Sequence, residues 1–318
     1  MAIHVVRYSH QGQTRWGVLD QGRIAPIDGD YATTADLVRA HSATSLAGHL
    51  GHGGIDLAAV RVLSPVTSNQ QFVCQGANYR QHMIESGMDP DAKHFNMIFT
   101  KASSCIVPAD SPVVRPAHVR FLDYEIELGL VIKRDITTPV KVTDVNLHEF
   151  IAGVVIVNDY SARDVQIPQM QFYKGKSYRT FGPVGPVLCL LAPQEMHYLS
   201  KLNLTLKVNG GVRQQDSTAN LVHRPPETLT ELSGVHDLFG GDLIATGTPS
   251  GCALSIPSPF KQRIGALLPE KKKWEIFMKV QAQRAQYLKP GDVVEAEIRS
   301  ADGVVQLGVQ RNVVQEQA

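Results

Sequence analysis

Short apolar runs of the kind that form β-strands dominate the pattern of hydrophobic and polar positions after about residue 70. The dipeptide Asn209-Gly210, directly after the run LTLKV, is a strong hairpin signal, because a type I′ turn needs a positive φ at both central positions. The pattern predicts strands at residues 71–75, 124–132, 151–158, 186–191, 202–208, 243–246, 293–298 and 304–309.

Fewer segments have the pattern of a helix, and these segments do not alternate regularly with the strands. We predict helices at residues 79–86, 144–150, 226–232 and 272–287. A doubly wound parallel sheet requires regular alternation, so this order of elements favours a β-rich, mixed architecture of the α+β class.

The first 65 residues form a separate part of the pattern. Residues 3–8 and 16–20 predict a hairpin around Gln11-Gly12, and Thr34, with Asp36 in the first turn, begins a short helix. About 60 residues make only a small core, so we expect residues 1–65 to be a small N-terminal β domain packed on the rest. The segment LSPVTSNQ is the best linker candidate, and residues 66–318 then form the main domain.

The composition indicates a folded protein and excludes several classes. Of the 318 residues, 43% are hydrophobic and 19% are charged, which excludes a disordered chain and a disulfide-stapled miniprotein. Lys and Arg number 31 against 30 Asp and Glu, so the net charge of +1 leaves no basic surplus for binding phosphates. We therefore expect no nucleic-acid partner.

The cysteines and the hydropathy favour a cytoplasmic location. The four cysteines lie far apart without a C-x-x-C pair, which is typical of small buried residues in a reducing compartment. The N-terminus has no signal-peptide core, and no apolar run approaches the roughly 18 residues of a membrane span. We expect a cytoplasmic protein that does not bind membranes.

Acidic residues in the run FLDYEIELGLVI are the first candidates for chemistry. Alternation places Asp123, Glu125 and Glu127 on one face of a strand, where they would ordinarily be solvated residues of an antiparallel sheet. A further acid, Asp159, comes where the apolar run IAGVVIVN ends. Three carboxylates without a histidine at ligand spacing would favour Mg²⁺, Mn²⁺ or Ca²⁺ over zinc.

The segment NYRQHMIESG is a candidate for acid–base chemistry. On a helical turn, His82 and Glu85 share a face and can hydrogen-bond, and a carboxylate that holds an imidazole makes it a better base. The ordinary alternative is a pair on a solvated helix surface. Gly87 and the following DPDAKH suggest a mobile loop that could act as a lid.

Two further loops contain possible substrate-binding groups. Lys176 in GKSYRTFGPVGP is either a binding cation or an ordinary exposed lysine. In GDLIATGTPSG, Thr246 and Thr248 flank Gly247, so hydroxyls and backbone N–H groups could receive a carboxylate or an enolate, although a plain turn is the alternative. The sequence contains none of the common glycine-rich nucleotide motifs and no G-x-S-x-G.

These clusters, in this order, resemble the motifs of the fumarylacetoacetate hydrolase family over roughly residues 63–314. YEIELG is similar to the family's E-x-E metal strand, and NDYSARDVQ is similar to its second metal segment. The resemblance implies Glu125, Glu127 and Asp159 as the metal ligands. The implied cofactor is Mg²⁺ or Mn²⁺, with Ca²⁺ used by the animal hydrolase.

The same resemblance implies catalytic and substrate-binding residues. NYRQHMIE looks like the lid helix of the compact members, so His82 and Glu85 would be the catalytic dyad. GKSY, TGTPSG and FTKASS are similar to segments that line the substrate pocket. The residues implied by these segments and by NDYSARDVQ are Lys176 as a further catalytic residue, and Lys101, Arg163, Gln166 and Thr248 for substrate binding.

Family members have a mixed β-roll behind a smaller N-terminal β domain, form homodimers and act on small 2-oxo or 2,4-dioxo acids. We expect the same of this chain, although two positions depart from the family pattern. Gln75 stands where the animal enzyme has an extra acidic ligand, so the three-acid site of the compact members is the better comparison. Residues 252–286 form a longer insertion, which can reshape the pocket.

That insertion contains a basic amphipathic segment with Trp274, Phe277 and Val280 spaced for one helix face. We expect the helix to pack on its own sheet or on a dimer mate, in preference to a membrane surface.

Three functions follow from this resemblance. The leading hypothesis is metal-assisted hydrolysis of a C–C bond in an acylpyruvate or another β-diketo acid, with a water activated by His82. The second uses the same site for isomerisation, tautomerisation or decarboxylation of a 2-oxo or 2-hydroxy-dienoic diacid. The third, from another class, is a non-catalytic protein that retains the acids as a structural metal site.

Overall fold

Strands outnumber helices, as the sequence predicts, in the computed structural model, which describes residues 1–93, 95–255 and 267–317. The strands in these residues are β1 Ile3–His10, β2 Gln13–Asp20, β3 Arg23–Pro26, β4 Ile55–Asp56, β5 Arg61–Leu63, β6 Phe72–Gly76, β7 Met97–Lys101, β8 Ile106–Val107, β9 Val113–Arg115, β10 Leu122–Asp123, β11 Ile126–Ile132, β12 Ile151–Asn158, β13 Ser161–Ala162, β14 Gly182–Pro183, β15 Leu188–Leu190, β16 Leu202–Val208, β17 Gly211–Ser217, β18 Leu243–Ala245, β19 Val293–Ser300 and β20 Gln306–Glu316. The protein therefore belongs to the strand-rich α+β class.

Helices are short, apart from one near the C-terminus. The α-helices of the described residues are α1 Thr34–Ala40, α2 Ala43–Leu46, α3 Arg80–Glu85, α4 Arg163–Gln166, α5 Phe172–Lys176, α6 Pro225–Ser233 and α7 Glu270–Gln281. The 3₁₀ turns are Ala47–His49, Leu57–Ala59, Ser103–Cys105, Leu147–Glu149, Pro193–Ser200 and Thr218–Asn220. No helix in the described ranges is both long and apolar enough to span a lipid bilayer.

A large mixed sheet organises the molecule. Its strands follow the order β4-β3-β2-β1-β15-β12-β11-β18-β6-β7, with β5 also paired to β1, and β18 and β6 are parallel. A second sheet has the order β17-β16-β19-β20-β9. Leu128 and Val131 lie on opposite faces of β11 and belong to two different core clusters, so this strand is buried on both faces. Burial on both faces explains the continuous apolar runs of β11 and β12.

The N-terminal residues continue the large sheet, because β1 pairs with β15 as well as with β2. The β1–β2 turn has positive φ at Gln11 and Gly12, as the hairpin prediction requires. The helix α1 is capped by Thr33, one residue before the position we predicted, and the Thr34 hydroxyl donates to the Pro65 carbonyl at 2.9 Å. The segment around Pro65 is thus buried against α1, and the division into residues 1–65 and 66–318 stays a prediction.

Some predicted elements differ from the observed ones. The strand predicted over residues 124–132 begins only at Ile126, because residues 124 and 125 separate β10 from β11. Residues 144–150 contain no α-helix but a 3₁₀ turn at Leu147–Glu149, and the Asn146 side chain accepts from the Thr143 backbone N–H at 2.7 Å. The turn at Asn209-Gly210 has the predicted positive φ values, 51° and 79°.

The insertion is only partly described, since residues 256–266 lie outside the described ranges. Its helix α7 ends at Gln281 and does not reach residue 287. Trp274 and Phe277 are half-buried and in edge-to-face contact, but Val280 is 46% exposed. Val280 is therefore not covered by the chain's own sheet, and packing of this helix face on a dimer mate stays a prediction. The four cysteines are buried and unpaired, as expected.

Candidate functional site

Three acidic residues meet where β11 begins and β12 ends. Ile126 is directly opposite Asn158 in the antiparallel pair, and the Asp159 N–H donates to the Glu125 carbonyl at 2.8 Å. This pairing brings Asp159 to the side of the strand on which Glu125 and Glu127 lie. One carboxylate oxygen from each of the three residues lies within 4.8 Å of the others.

The burial of these acids excludes a solvated strand face. Glu125, Glu127 and Asp159 are 5%, 1% and 0% exposed. A carboxylate held in the interior is costly unless it is paired or binds a cation. The burial of three neighbouring acids therefore indicates a functional site and not an ordinary strand surface.

The donor atoms fit a hard divalent cation. All three groups offer oxygen, which Mg²⁺, Mn²⁺ and Ca²⁺ prefer, and the set contains neither the thiolate nor the imidazole typical of zinc. Each carboxylate has about four lone-pair positions, so the hydrogen bonds described next leave room for a cation. Glu125, Glu127 and Asp159 would hold the cation.

Two lysines pair with the acidic cluster from inside the protein. Lys176 Nζ donates to Glu125 Oε2 and to Asp159 Oδ2, both at 2.5 Å. Lys101 Nζ donates to Asp159 Oδ1 at 2.5 Å and to the Phe181 carbonyl at 2.8 Å. Burial is the largest influence and opposes the charge of both lysines, but the neighbouring acidic groups, Asp159 first among them, together outweigh it and raise the pKa of each lysine above its ordinary value. Both ammonium groups are therefore charged.

These positions correct two features of the sequence interpretation. Lys176 is the last residue of α5 and is 2% exposed, so it lies neither in a loop nor at the surface. The Lys101 side chain is completely buried and is not part of the cavity wall, because Asp159 and Phe181 hold it behind the acidic cluster. Lys101 orients a predicted metal ligand in this structure, and its contact with substrate stays a prediction.

Arg163 joins the cluster to a fourth acid. Its Nε donates to Asp123 Oδ2 at 2.8 Å, its Nη1 donates to Gln166 Oε1 at 2.7 Å, and its Nη2 bonds Glu125 Oε1. Burial alone would raise the pKa of Glu125, but Arg163 and Lys176 lower it to about 2. Glu125 is therefore ionised at neutral pH. The Arg163 guanidinium bonds Asp123 and Glu125 and holds the two acids in place.

The turn TGTPSG supports the acidic strand. The Gly247 N–H donates to Glu127 Oε2 at 2.9 Å, and the hydroxyls of Thr246 and Thr248 donate to the carbonyls of Leu128 and Ile126 at 2.9 Å. Gly247 has φ +88°, which a side chain would disfavour. Two of the groups that we expected to receive an anion, the Thr246 and Thr248 hydroxyls, thus donate to backbone carbonyls of the fold.

A cavity of about 190 Å³ opens onto two of the three acids, Glu125 and Glu127. Its wall includes Glu125, Glu127, Lys176, Gln166, Thr248 and His82. Burial lowers the pKa of His82, Glu125 opposes this shift, and Arg163 adds to it. His82 is therefore neutral at pH 7 and able to accept a proton.

Glu85 does not form the predicted dyad in this structure. It is exposed, its Oε1 accepts from Gln81 Nε2 at 3.2 Å, and no hydrogen bond joins it to His82 within the part of the chain that the structure describes. Glu85 instead bonds the Gln81 side chain, four residues earlier on α3. A catalytic role for Glu85 stays a prediction.

Several residues of the site were not selected from the sequence. Asp123 was placed near the acids by alternation, but its pairing with Arg163 was not foreseen. Gln214 accepts from the Ile126 N–H at 3.0 Å and donates to Thr248 Oγ1 at 2.8 Å, and nothing in its local sequence signals this. Gln75 lines the cavity and donates to Asn96 and Thr228, apart from the acids.

The fold recurs in known proteins. The family described as fumarylacetoacetate (FAA) hydrolase C-terminal matches residues 71–315, and the Rv2993c-like N-terminal family matches residues 3–65. The chain belongs to the fumarylacetoacetate hydrolase family. It is homologous to enzymes that include hydrolases, isomerases and tautomerases.

Individual relatives carry different activities in their names. The oxaloacetate tautomerase YisK of Bacillus subtilis is 34% identical over 218 residues, 68% of this chain and 71% of YisK. A putative hydrolase of Burkholderia ambifaria is 34% identical over 273 residues, 83% of this chain and 93% of the relative. The solved fumarylacetoacetate hydrolase of Exiguobacterium antarcticum is 27% identical with a TM-score of 0.72, covering 99% of this chain and 100% of that one.

Proposed function

We propose that this protein is a divalent-metal-dependent enzyme that moves a proton at C3 of a small 2-oxo acid, as a keto–enol tautomerase or isomerase does. This is the second of the three functions considered from the sequence. One observation carries the proposal: His82, whose imidazole is neutral at pH 7, faces the same cavity as Glu125, Glu127 and Lys176. A neutral imidazole and a cation site are sufficient for proton transfer next to a carbonyl.

The residues divide the work of this reaction. Glu125, Glu127 and Asp159 would hold the cation, which supplies Lewis-acid stabilisation of negative charge on the 2-oxo group when bound. An imidazole nitrogen of His82 takes the C3 proton, the C–H electron pair forms the C2–C3 double bond, and the charge moves to the C2 oxygen. The Lys176 ammonium lies at the edge of the cavity and stabilises that charge. Return of the proton to the oxygen or to carbon completes the tautomerisation.

Similarity to the Bacillus subtilis oxaloacetate tautomerase supports this assignment, since it is 34% identical over 68% of the present chain. The residues of the proposed site also lie within residues 71–315, the region that the fumarylacetoacetate hydrolase family matches.

C–C hydrolysis of an acylpyruvate is the second candidate. It is favoured by the position of Glu85 at i+3 from His82 on α3, where a change of side-chain rotamer brings the two groups within reach. Hydrolysis needs this pair, because the base must be held while it activates a water. The relative from Burkholderia ambifaria named a putative hydrolase agrees with this candidate.

Isotope exchange separates the two reactions. The protein is stripped of metal, reloaded with Mg²⁺ or Mn²⁺ and incubated with 2-oxobutanoate in D₂O and with acetylpyruvate in H₂¹⁸O. We expect deuterium at C3 of 2-oxobutanoate and no ¹⁸O in a cleaved acid. Incorporation of ¹⁸O with loss of the C–C bond would instead establish hydrolysis, and the absence of both reactions in the parent protein would contradict both candidates.

Two variants assign the residues. His82→Ala should reduce C3 exchange by about 10²–10⁴-fold, which is the usual contribution of a positioned base. Glu85→Gln should leave C3 exchange within about twofold if tautomerisation is the reaction, and should reduce cleavage strongly if hydrolysis is. Equal exchange by His82→Ala and the parent protein would rule out the proton-transfer role.

A further inference from the structure

A second cavity adjoins the acid-lined one. It measures about 360 Å³, and its wall is mostly apolar. Gly76, Ala77, Met88 and Met97 belong to the walls of both cavities, so the two are neighbours with a common partition. We call the second cavity the methionine chamber; its remaining wall includes Met83 and Phe95.

The partition depends on the absence of a side chain at Gly76. Gly76 is paired with Met97 across β6 and β7, and a Cβ built on Gly76 would lie 2.5 Å from Met97 Sδ. The glycine thus lets the Met97 thioether lie over the end of β6. Met97 and Met88 are both half-buried, and an unbranched thioether adapts readily to the shape of a ligand.

The charges around the chamber are unsuited to a second carboxylate. Among its wall residues Asp89 is the single charged one in the described chain, and it is an acid. The nearest cations along the sequence are engaged elsewhere: Arg80 bonds Asp91 at 2.7 Å and Lys93 bonds Glu227 at 3.1 Å. A carboxylate entering the chamber would therefore lose hydration without gaining a partner.

The geometry points to the methionine chamber as a specificity subsite that receives an uncharged, apolar substituent at the far end of a 2-oxo acid. The 2-oxo-acid end lies at Glu125, Glu127 and Lys176, and the alkyl or acyl chain passes Met97 and contacts Met88 and Phe95. This inference rests on the proposed function. It adds that monocarboxylic 2-oxo acids with an extended apolar chain are preferred over short diacids.

Binding measurements with a homologous series test the subsite. The full-length protein, loaded with Mn²⁺, is titrated calorimetrically with pyruvate, 2-oxopentanoate, 2-oxoheptanoate and 2-oxononanoate. Full burial of a methylene group changes affinity about fourfold, and the chamber is open on one side, so we expect about twofold to fourfold tighter binding per methylene. Deuterium exchange at C3 is measured on the same series as a second readout.

A charge introduced at the wall provides a specificity switch. Met88→Lys should weaken binding of 2-oxoheptanoate by about tenfold and strengthen binding of 2-oxoheptanedioate by a similar factor. Met88 is half-buried in a loop, so a lysine is accommodated there. Val145→Lys, at a residue that is 84% exposed and outside both cavities, is the matched control and should change neither affinity.

The outcomes distinguish the subsite from the proposed function. Affinity that does not change with chain length, together with C3 exchange on pyruvate, would overturn the subsite and leave the tautomerase proposal intact. Binding that strengthens with chain length without any C3 exchange would support the subsite and overturn the tautomerase. Failure of every 2-oxo acid to bind the Mn²⁺-loaded protein would overturn both.

Discussion

Replacement of Arg163 by leucine tests whether the guanidinium stabilises the acidic cluster. The side chain is 4% exposed and bonds two acids, Asp123 and Glu125. Leucine retains part of the apolar volume and removes every donor. The substitution therefore leaves two buried carboxylates without their shared cation.

The loss of stability in Arg163→Leu depends on the hydrogen bonds that each carboxylate retains. Removal of one partner of a buried ion pair generally costs about 3–5 kcal/mol. Asp123 keeps the backbone N–H groups of Ala253 and Leu254, at 2.7 and 3.0 Å, and Glu125 keeps Lys176. We therefore expect the lower end, a loss of about 3 kcal/mol. The entropy of unfolding is about 2.1 cal/mol/K per residue, so the melting temperature of the 318-residue chain falls by about 5 °C.

Differential scanning calorimetry in EDTA measures this change. The matched control is Arg224→Leu, because Arg224 pairs with Asp144 at 3.1 Å in an exposed setting, 49% and 65% accessible. Exposed pairs contribute about 0–1 kcal/mol, so the control should lose no more than about 1.5 °C. Equal shifts in the two variants would refute the argument that Arg163 compensates buried charge.

Two further predictions concern the residues around the cavity. Thr248→Val removes a hydroxyl that donates to the Ile126 carbonyl and accepts from Gln214, so it should lower the free energy of unfolding by about 1–3 kcal/mol in urea titrations. Thr248→Ser keeps the hydroxyl and should retain most of that free energy. Equal stability of the valine variant and the parent protein would contradict a structural role for the hydroxyl. Burial lowers the pKa of His82 below its ordinary value of 6.5. Because only the neutral imidazole accepts a proton, kcat/KM for C3 exchange should fall as the pH is lowered, with a midpoint below pH 6.5. A midpoint above pH 6.5 would exclude His82 as the base.

The sequence predicted the buried strands well, because a strand covered on both faces is a continuous apolar run. Ile151–Asn158 and Leu202–Val208 have the predicted bounds. Prediction was poorest where pairing is non-local. Strand β20 extends to Glu316, beyond the predicted bounds, since its C-terminal end pairs with β9. Residues 144–150 contain a 3₁₀ turn where we predicted a helix.

Within the site, the sequence identified the acids and missed the way in which they are neutralised. Spacing predicted that Glu125 and Glu127 share a side, and the end of a buried run placed Asp159 with them. That Lys101 and Lys176 both bond Asp159 depends on contacts across 58 and 17 residues, which no local pattern encodes. The neutralising network therefore emerged only from the tertiary structure.

Manganese binding to the parent protein and to Glu127→Gln is the most direct test of the central claim that these acids form a cation site. Glu127 is the best position, because its Oε2 accepts from the Gly247 N–H and, within the described residues, it takes part in none of the buried ion pairs. Free Mn²⁺ is followed by electron paramagnetic resonance, with the exposed Glu297→Gln as the control. We predict one Mn²⁺ per chain in the parent and the control, and affinity about 100-fold weaker in Glu127→Gln. Equal stoichiometry and affinity in all three proteins would contradict the account.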